Sequence, residues 1–202
     1  MLSVIAACGG GDGGEAASTT TTPPPSSRTG ASGPAGTGGA SGLAEVTGPF
    51  APGRTQLPGF GEVEVRIVDG PNGEPIILCV LLAETGPQRQ RGLMQVADED
   101  LGGYDGMLFT YESDVEGGFW MKDTLLPLSI AYLEADGTPI HTTDMEPCPP
   151  ETERCPSYPP PAPYRMALEV TQGGLDDLGL VEGAGGRLEV GGACAPGPGA
   201  DS

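Results

Sequence analysis

The stretch "EVEVRIVDGPNGEPIILCVLL", residues 62–82, decides the fold class. Its first seven residues alternate, with Val63, Val65 and Ile67 on one face and Glu62, Glu64 and Arg66 on the other. A period of two marks a half-buried strand. "PNGE" (71–74) is turn chemistry. "IILCVLL" (76–82) is a continuous apolar run, short enough for a strand buried on both faces.

Working outward, the pattern repeats in short pieces. "TGPQRQRGLM" predicts a short helix with Thr85 as N-cap and Pro87 in the first turn. "GMLFTY" (106–111) and "GFWM" (118–121) read as strands separated by the acidic loop "ESDVE". "LSIAYLE", "ADGT" and "PIHTTDM" form a hairpin signal in which Gly137 takes a positive φ. "RMALEV" (165–170) alternates again, "GGLDDLGLVEG" holds one short helix, and "RLEV" (187–190) is a last strand. Many short strands, Gly/Pro turns and at most two brief helices predict a mainly β domain of jelly-roll, sandwich or barrel type. No apolar run is long enough to cross a membrane as a helix.

The folded part is confined to one region. The chain has 202 residues with 35 Gly and 22 Pro. Residues 9–60 are mostly Gly, Ser, Thr, Ala and Pro, too poor in apolar area to offset their ordering entropy. They read as a disordered linker with a reach of about 40 Å. One domain is expected over 61–195, and a disordered tail over 196–202. Nine Lys+Arg stand against 28 Asp+Glu, a formal net charge of −19. That balance repels nucleic acid and anionic lipid, so attachment to a membrane is expected only through a covalent lipid.

Such a lipid has a candidate site. "MLSVIAAC" ends in Ile5-Ala6-Ala7-Cys8, which resembles a bacterial lipobox, the signal for lipidation and cleavage at cysteine. A full secretory signal needs a basic segment and about 7–15 apolar residues. Residues 1–8 hold neither, so they read as a truncated signal whose true start lies upstream. With Cys8 lipidated, the expected location is the outer face of the cell membrane, of Gram-positive type. Four cysteines then remain, an even number in an exported domain, which implies disulfides. Cys148 and Cys155 flank "PPETER" and are expected to close a small loop. That pairs Cys79 with Cys194.

Chemistry concentrates in "GGFWMKDTLLPLSI" (117–130), which contains the only tryptophan, Trp120, and the only lysine, Lys122. In a strand, Phe119 and Met121 point one way and Trp120 and Lys122 the other. Two arrangements stay open: Trp120 in the core with Lys122 beside it, or an indole and an ammonium together on a surface. The second would stack a flat group and hold an anion. Arg91, Tyr104, Asp123, Thr124 and His141 complete the candidate binding set. No Gly-x-Ser-x-Gly, phosphate loop or His-Glu-x-x-His occurs, and His141 is the only histidine. No catalytic residue, metal ligand or cofactor is assigned. Calcium at "DEDLGGYDG" (98–106) and copper at Met94, Met107, Met121, Met145 and Met166 are the metal alternatives. Solvated loop charge and core packing account for both patterns.

The ordered motifs "RGLM", "GMLF", "GFWMKDTLLPLSI", "MEPC", "RMALEV", "GGLDDLGL" and "RLEV" resemble the family known as domain of unknown function 192, over roughly residues 61–195. The resemblance implies a compact, mainly β fold, often exported, with no established activity. It also implies Asn in many relatives where Asp123 stands, and Asp where Ser129 stands. A carboxylate role at that second position does not apply here. The expected protein is a monomeric, surface-anchored lipoprotein that binds a small molecule, a cell-wall glycan or a partner protein. An extracytoplasmic hydrolase and a metal-handling protein are the rival readings.

Overall fold

The computed structural model describes residues 53–70 and 73–197. Cys8 and the lipobox, residues 9–52 of the expected linker, Pro71 and Asn72 of the turn, and residues 198–202 lie outside the described residues. The described chain is mainly β, as expected, with a curled half-barrel sheet and two short helices. In chain order the elements are β1 (Gly61–Val68), β2 (Ile76–Ala83), α1 (Gly86–Arg91), β3 (Met107–Val115), β4 (Phe119–Trp120), β5 (Leu128–Leu133), β6 (Pro139–Met145), β7 (Ser157–Tyr158), β8 (Tyr164–Thr171), α2 (Gly174–Leu178) and β9 (Arg187–Val190).

Seven strands form one sheet in the order β6-β5-β8-β3-β2-β1-β9, and β4 pairs with β7 in a small ribbon. The opening stretch forms the two strands read from it, β1 and β2 pairing antiparallel from Gly61↔Leu82 to Ile67↔Ile76, but β2 is buried on both faces only from Leu78 to Leu81, and Ile77 is 59% exposed. β2 and β3 run parallel over three pairs, joined by α1 and the long loop after it. Thr85 caps α1, accepting from the Gln88 N–H while Gln88 accepts in return from the Thr85 backbone. This capping box starts a helix only six residues long.

The two ends of the sheet meet. The Leu188 N–H of β9 donates to the Gly137 carbonyl in the β5–β6 turn at 3.0 Å. Gly137 takes φ +85°, and a Cβ there would lie 1.8 Å from the Leu188 carbonyl oxygen, so only glycine fits. The curl buries one face of the sheet in a core of Val65, Ile67, Val80, Leu108, Leu133 and Leu168, closed by Leu175 of α2. The other face is buried too. Leu81, Met107, Phe109, Ile130, Tyr132 and Ala167 lie under a cover of Phe60, Leu93, Met121 and Leu126.

Three expectations need revision. "ESDVE" is not a loop: β3 continues through it to Val115, with an irregular register against β8 after Thr110. "SY" at 157–158 was not read as a strand, yet it pairs with β4. Residues 53–60 pack on the domain, through Phe60, the Thr55 N–H to the Gly102 carbonyl at 2.8 Å, and Arg54 to the Gly103 and Ala195 carbonyls.

Both disulfides are present, Cys79–Cys194 with a sequence separation of 115 and Cys148–Cys155 with a separation of 7. On the chain-entropy model the long closure stabilises by about 5 kcal/mol and the short one by about 2 kcal/mol. Urea unfolding of the paired alanine variants checks this: C79A/C194A is expected to lose more stability than C148A/C155A. An equal loss, or the reverse order, contradicts the loop-entropy account.

Candidate functional site

Strand β8 carries the feature that the alternation of "RMALEV" hid. Met166, Leu168 and Val170 face one core, as expected. Ala167 and Glu169 face the other, opposite Met107 and Phe109 of β3 and Ile130 and Tyr132 of β5. Glu169 is only 5% exposed. Its carboxyl group has no hydrogen-bond partner among the described residues. No sealed side-chain oxygen among them lacks a partner either, so the Glu169 oxygens open on free space. Burial raises its pKa from 4.5 to about 8, because an ionised carboxylate there loses its water. Gly106 permits the close approach of chain at this point, since a Cβ on it would sit 2.3 Å from the Glu169 carbonyl oxygen.

That free space is a crevice of about 30 Å³, with Glu169 in its wall together with Arg91, Met94, Phe109, Trp120 and Thr124. It shares Arg91 and Met94 with a wider groove of about 580 Å³, whose other walls include Leu57, Val96, Asp98 and Asp123. α1 delivers Arg91 as its last residue. Arg91 Nη1 donates to the Pro58 carbonyl at 2.6 Å, and its guanidinium lies over the Phe60 ring. The groove's two walls are tied together where the Gln95 N–H donates to the Asp123 carbonyl at 2.8 Å. Gln95 and Asp123 both sit in the left-handed region, at φ 61° and 56°. That conformation costs roughly 1–2 kcal/mol per L-residue.

An aromatic stack presents Trp120 at the mouth. The buried Tyr132 hydroxyl accepts from the Phe119 N–H at 3.3 Å and donates to the Tyr158 carbonyl, joining both strands of the β4–β7 ribbon. Phe119 packs edge-on against Phe109 at 4.8 Å and against Tyr132 at 5.8 Å. With Phe119 and Met121 turned inward, Trp120 is left 56% exposed. The surface arrangement of the indole is therefore the one adopted.

Of the residues singled out in the sequence, Arg91, Trp120, Asp123 and Thr124 gather around the crevice and groove. The other three line neither one, although Lys122 Nζ lies 3.9 Å from the Asp123 carboxylate. Tyr104 is buried and donates to Glu62 at 2.8 Å, and burial raises its pKa well above the usual phenol range. Lys122 Nζ donates to the Pro150 carbonyl at 3.0 Å, pinning the loop closed by Cys148–Cys155. His141 Nδ1 meets Glu182 at 2.7 Å, and its ring stacks on Tyr132. Glu169 was missed. Its only signal was a carboxylate in a strand whose other face also turned out to be dry.

Several residues of the two metal patterns are engaged within the fold. Asp98 accepts from the backbone N–H groups of Asp100 and Gly102, and Asp105 from that of Cys79. Met107, Met121, Met145 and Met166 fill the cores. A third concavity, of about 240 Å³, contains Ser129 and Asp144. The Ser129 hydroxyl donates to Asp144 at 2.5 Å and accepts from the Gly173 N–H at 2.9 Å, which uses it to hold the turn into α2.

Glu169 makes stability depend on pH. Its pKa is higher folded than unfolded, so between about pH 4.5 and 8 the native state holds more protons than the unfolded chain. Stability contributed by the neutral carboxyl is full below that window and falls as pH rises through it. E169Q stays neutral throughout. Relative to E169Q, the wild type is expected to lose roughly 3–5 kcal/mol between pH 4.5 and 8.5. Urea unfolding across that range measures the difference, and parallel curves count against a buried, unpartnered carboxyl.

Comparison with known proteins follows the fold. A crystal structure of a candidate transcription regulator from Sinorhizobium meliloti 1021 is similar, with a TM-score of 0.54 and 29% identity over 67% of this chain and 98% of that one. A protein of unknown function from Novosphingobium aromaticivorans DSM 12444 is similar too, with a TM-score of 0.57 and 26% identity over 75% of this chain and 99% of that one. No curated protein matches the sequence. The family DUF192, described as Uncharacterized ACR, matches residues 68–188, and the chain belongs to it.

Proposed function

We propose that this protein is an extracytoplasmic binding protein, anchored by lipid on Cys8, whose ligand enters the crevice at Glu169 and extends along the adjoining groove. The observation that carries the binding reading is a buried carboxyl group without a partner at an opening. Such a group costs stability until something hydrogen-bonds it. Trp120 at the mouth offers a flat apolar platform for a metabolite or a sugar ring. Two disulfides suit an oxidising compartment, and no described helix is long and apolar enough to cross a membrane. A net charge of −19 disfavours a nucleic-acid ligand.

Catalysis is the second reading. A carboxyl that keeps its proton at neutral pH is suited to act as a general acid. A paired-carboxylate hydrolase needs a second acid facing the first. Among the described residues no other carboxylate and no imidazole lines the crevice, which favours binding over turnover.

Trp120, the only tryptophan, is a built-in reporter. A thermal-shift screen of glycans, metals and metabolites, read beside tryptophan emission, is expected to yield a ligand that raises the midpoint and changes the emission. E169Q is expected to lose both responses. A ligand that stabilises without moving the emission, and binds E169Q equally, places the site elsewhere. A flat screen points to a protein partner instead. The anchor has its own check: mass spectrometry of membranes from cells expressing the full-length gene is expected to find diacylglyceryl on Cys8. Unmodified, soluble Cys8 ends that part of the proposal.

A further inference from the structure

Resting on the crevice as the binding site, we infer that the group entering it is a primary ammonium, R–NH₃⁺, set against Glu169, with its alkyl stem leaving the crevice past the exposed Trp120 and the remainder of the ligand in the groove beside Arg91.

Size narrows the head group first. About 30 Å³ accommodates one or two water-sized groups. Carboxylate, phosphate and carboxamide heads are too large to reach Glu169 without displacing the walls. Methyl, hydroxyl and ammonium heads remain. A methyl leaves the carboxyl as unsatisfied as before. A hydroxyl offers one neutral hydrogen bond. An ammonium offers three donors and a charge, and charge-assisted hydrogen bonds are roughly twice as strong as neutral ones.

The surroundings leave the carboxyl's charge uncompensated. Ile130 of β5 and Met107 of β3 stand opposite Glu169 in the sheet and bring no charge, and Tyr132 of β5, the titratable group on that face that feels the Glu169 charge, is kept protonated by burial. The charged groups in the crevice wall besides Glu169 are Arg89 and Arg91, and both are committed elsewhere. Arg89 Nη1 donates to the Glu84 and Thr110 carbonyls, with its guanidinium over the Tyr111 ring. Arg91 holds Pro58 over Phe60. Neither forms a salt bridge with Glu169, whose raised pKa comes from burial alone. Phe109, Phe119 and Trp120 add aromatic faces and edges around the opening, and ring faces attract cations.

Binding exchanges one positive charge for another. The ammonium arrives charged, the neutral Glu169 carboxyl releases its proton to solvent, and an ammonium–carboxylate pair forms. At pH 7 close to one proton leaves per ligand bound.

Three probes with a common stem test this on the full chain at constant ionic strength: n-butylammonium chloride, 1-butanol and sodium butyrate. Trp120 emission gives affinity. Calorimetry in two buffers of different ionisation enthalpy gives proton release. Butylammonium is expected to bind at least tenfold more tightly than the other two and to release close to one proton at pH 7. E169Q is expected to fold, to bind butylammonium at least tenfold more weakly and to release no proton. If 1-butanol or butyrate binds as well as the amine and E169Q weakens it, the crevice is a site but not for ammonium. If butylammonium binds E169Q as it binds the wild type, or leaves Trp120 unperturbed, the assignment to Glu169 is overturned. The wider ligand screen then decides whether the crevice binds anything.

Discussion

Strand β8 has no side that meets water over most of its length. Met166, Leu168 and Val170 are buried on one face, and Tyr164, Ala167 and Glu169 on the other. A sheet with two apolar faces must find two covers, and the two helices among the described residues, of five and six residues, cannot supply them as helical layers. One face is closed by curling until β9 meets the β5–β6 turn, with Leu175 of α2 closing the remainder. The other is covered by turns, loops and a two-stranded ribbon. The candidate site lies in that second cover, where packing comes from irregular chain and is easiest to leave incomplete.

Irregular cover needs fastening, and the fastenings are unusually covalent or polar. Cys79–Cys194 ties the carboxy-terminal end to β2, and Cys148–Cys155 closes the loop whose carbonyls Lys122 holds. The Tyr132 hydroxyl reaches from the sheet to both strands of the ribbon. Burial raises the Tyr132 pKa well above the usual phenol range, so this hydroxyl keeps its proton to donate. The rare residues of "GFWMKD" therefore divide their work. Phe119 and Met121 pack, Lys122 fastens a loop, Asp123 lines the groove, and Trp120 stands exposed at the crevice.

Local pattern made the strands legible. "EVEVRIV" and "IILCVLL" pair as read, Thr85 and Gln88 cap α1, and Gly137 turns the β5–β6 hairpin. The long ranges are where reading stopped. Nothing in "ESDVE" marks it as strand, because Glu112, Ser113 and Asp114 are exposed and β-propensity is low; the rest of β3 extends through it. Two-residue β7 exists only as the partner of β4, and no period can show in two residues. The disulfide pairing was legible because "PPETER" forces proximity on Cys148 and Cys155. For the site, Arg91 and Trp120 stood out as rare or motif residues. Glu169 did not, because alternation in "RMALEV" describes one face and is silent about what covers the other.

The buried carboxyl is the point at which this fold departs from its own stability. A methionine or leucine at residue 169 would satisfy the same face without a desolvation cost, as replacement of buried charges by apolar groups often does. Structural reasons for keeping a polar group there would require a partner, such as those that Ser129 has in Asp144 and Gly173. Glu169 has none among the described residues, and its walls are neither sealed nor wide. A cost borne without a structural return is the expected mark of a site shaped for something else. Under the proposed binding role the occupant is small at the tip, rich in donors and positively charged, because those properties remove the penalty that the fold leaves standing. The left-handed Gln95 and Asp123 in the adjoining groove belong to the same logic: backbone held in a costly conformation, facing the same open space.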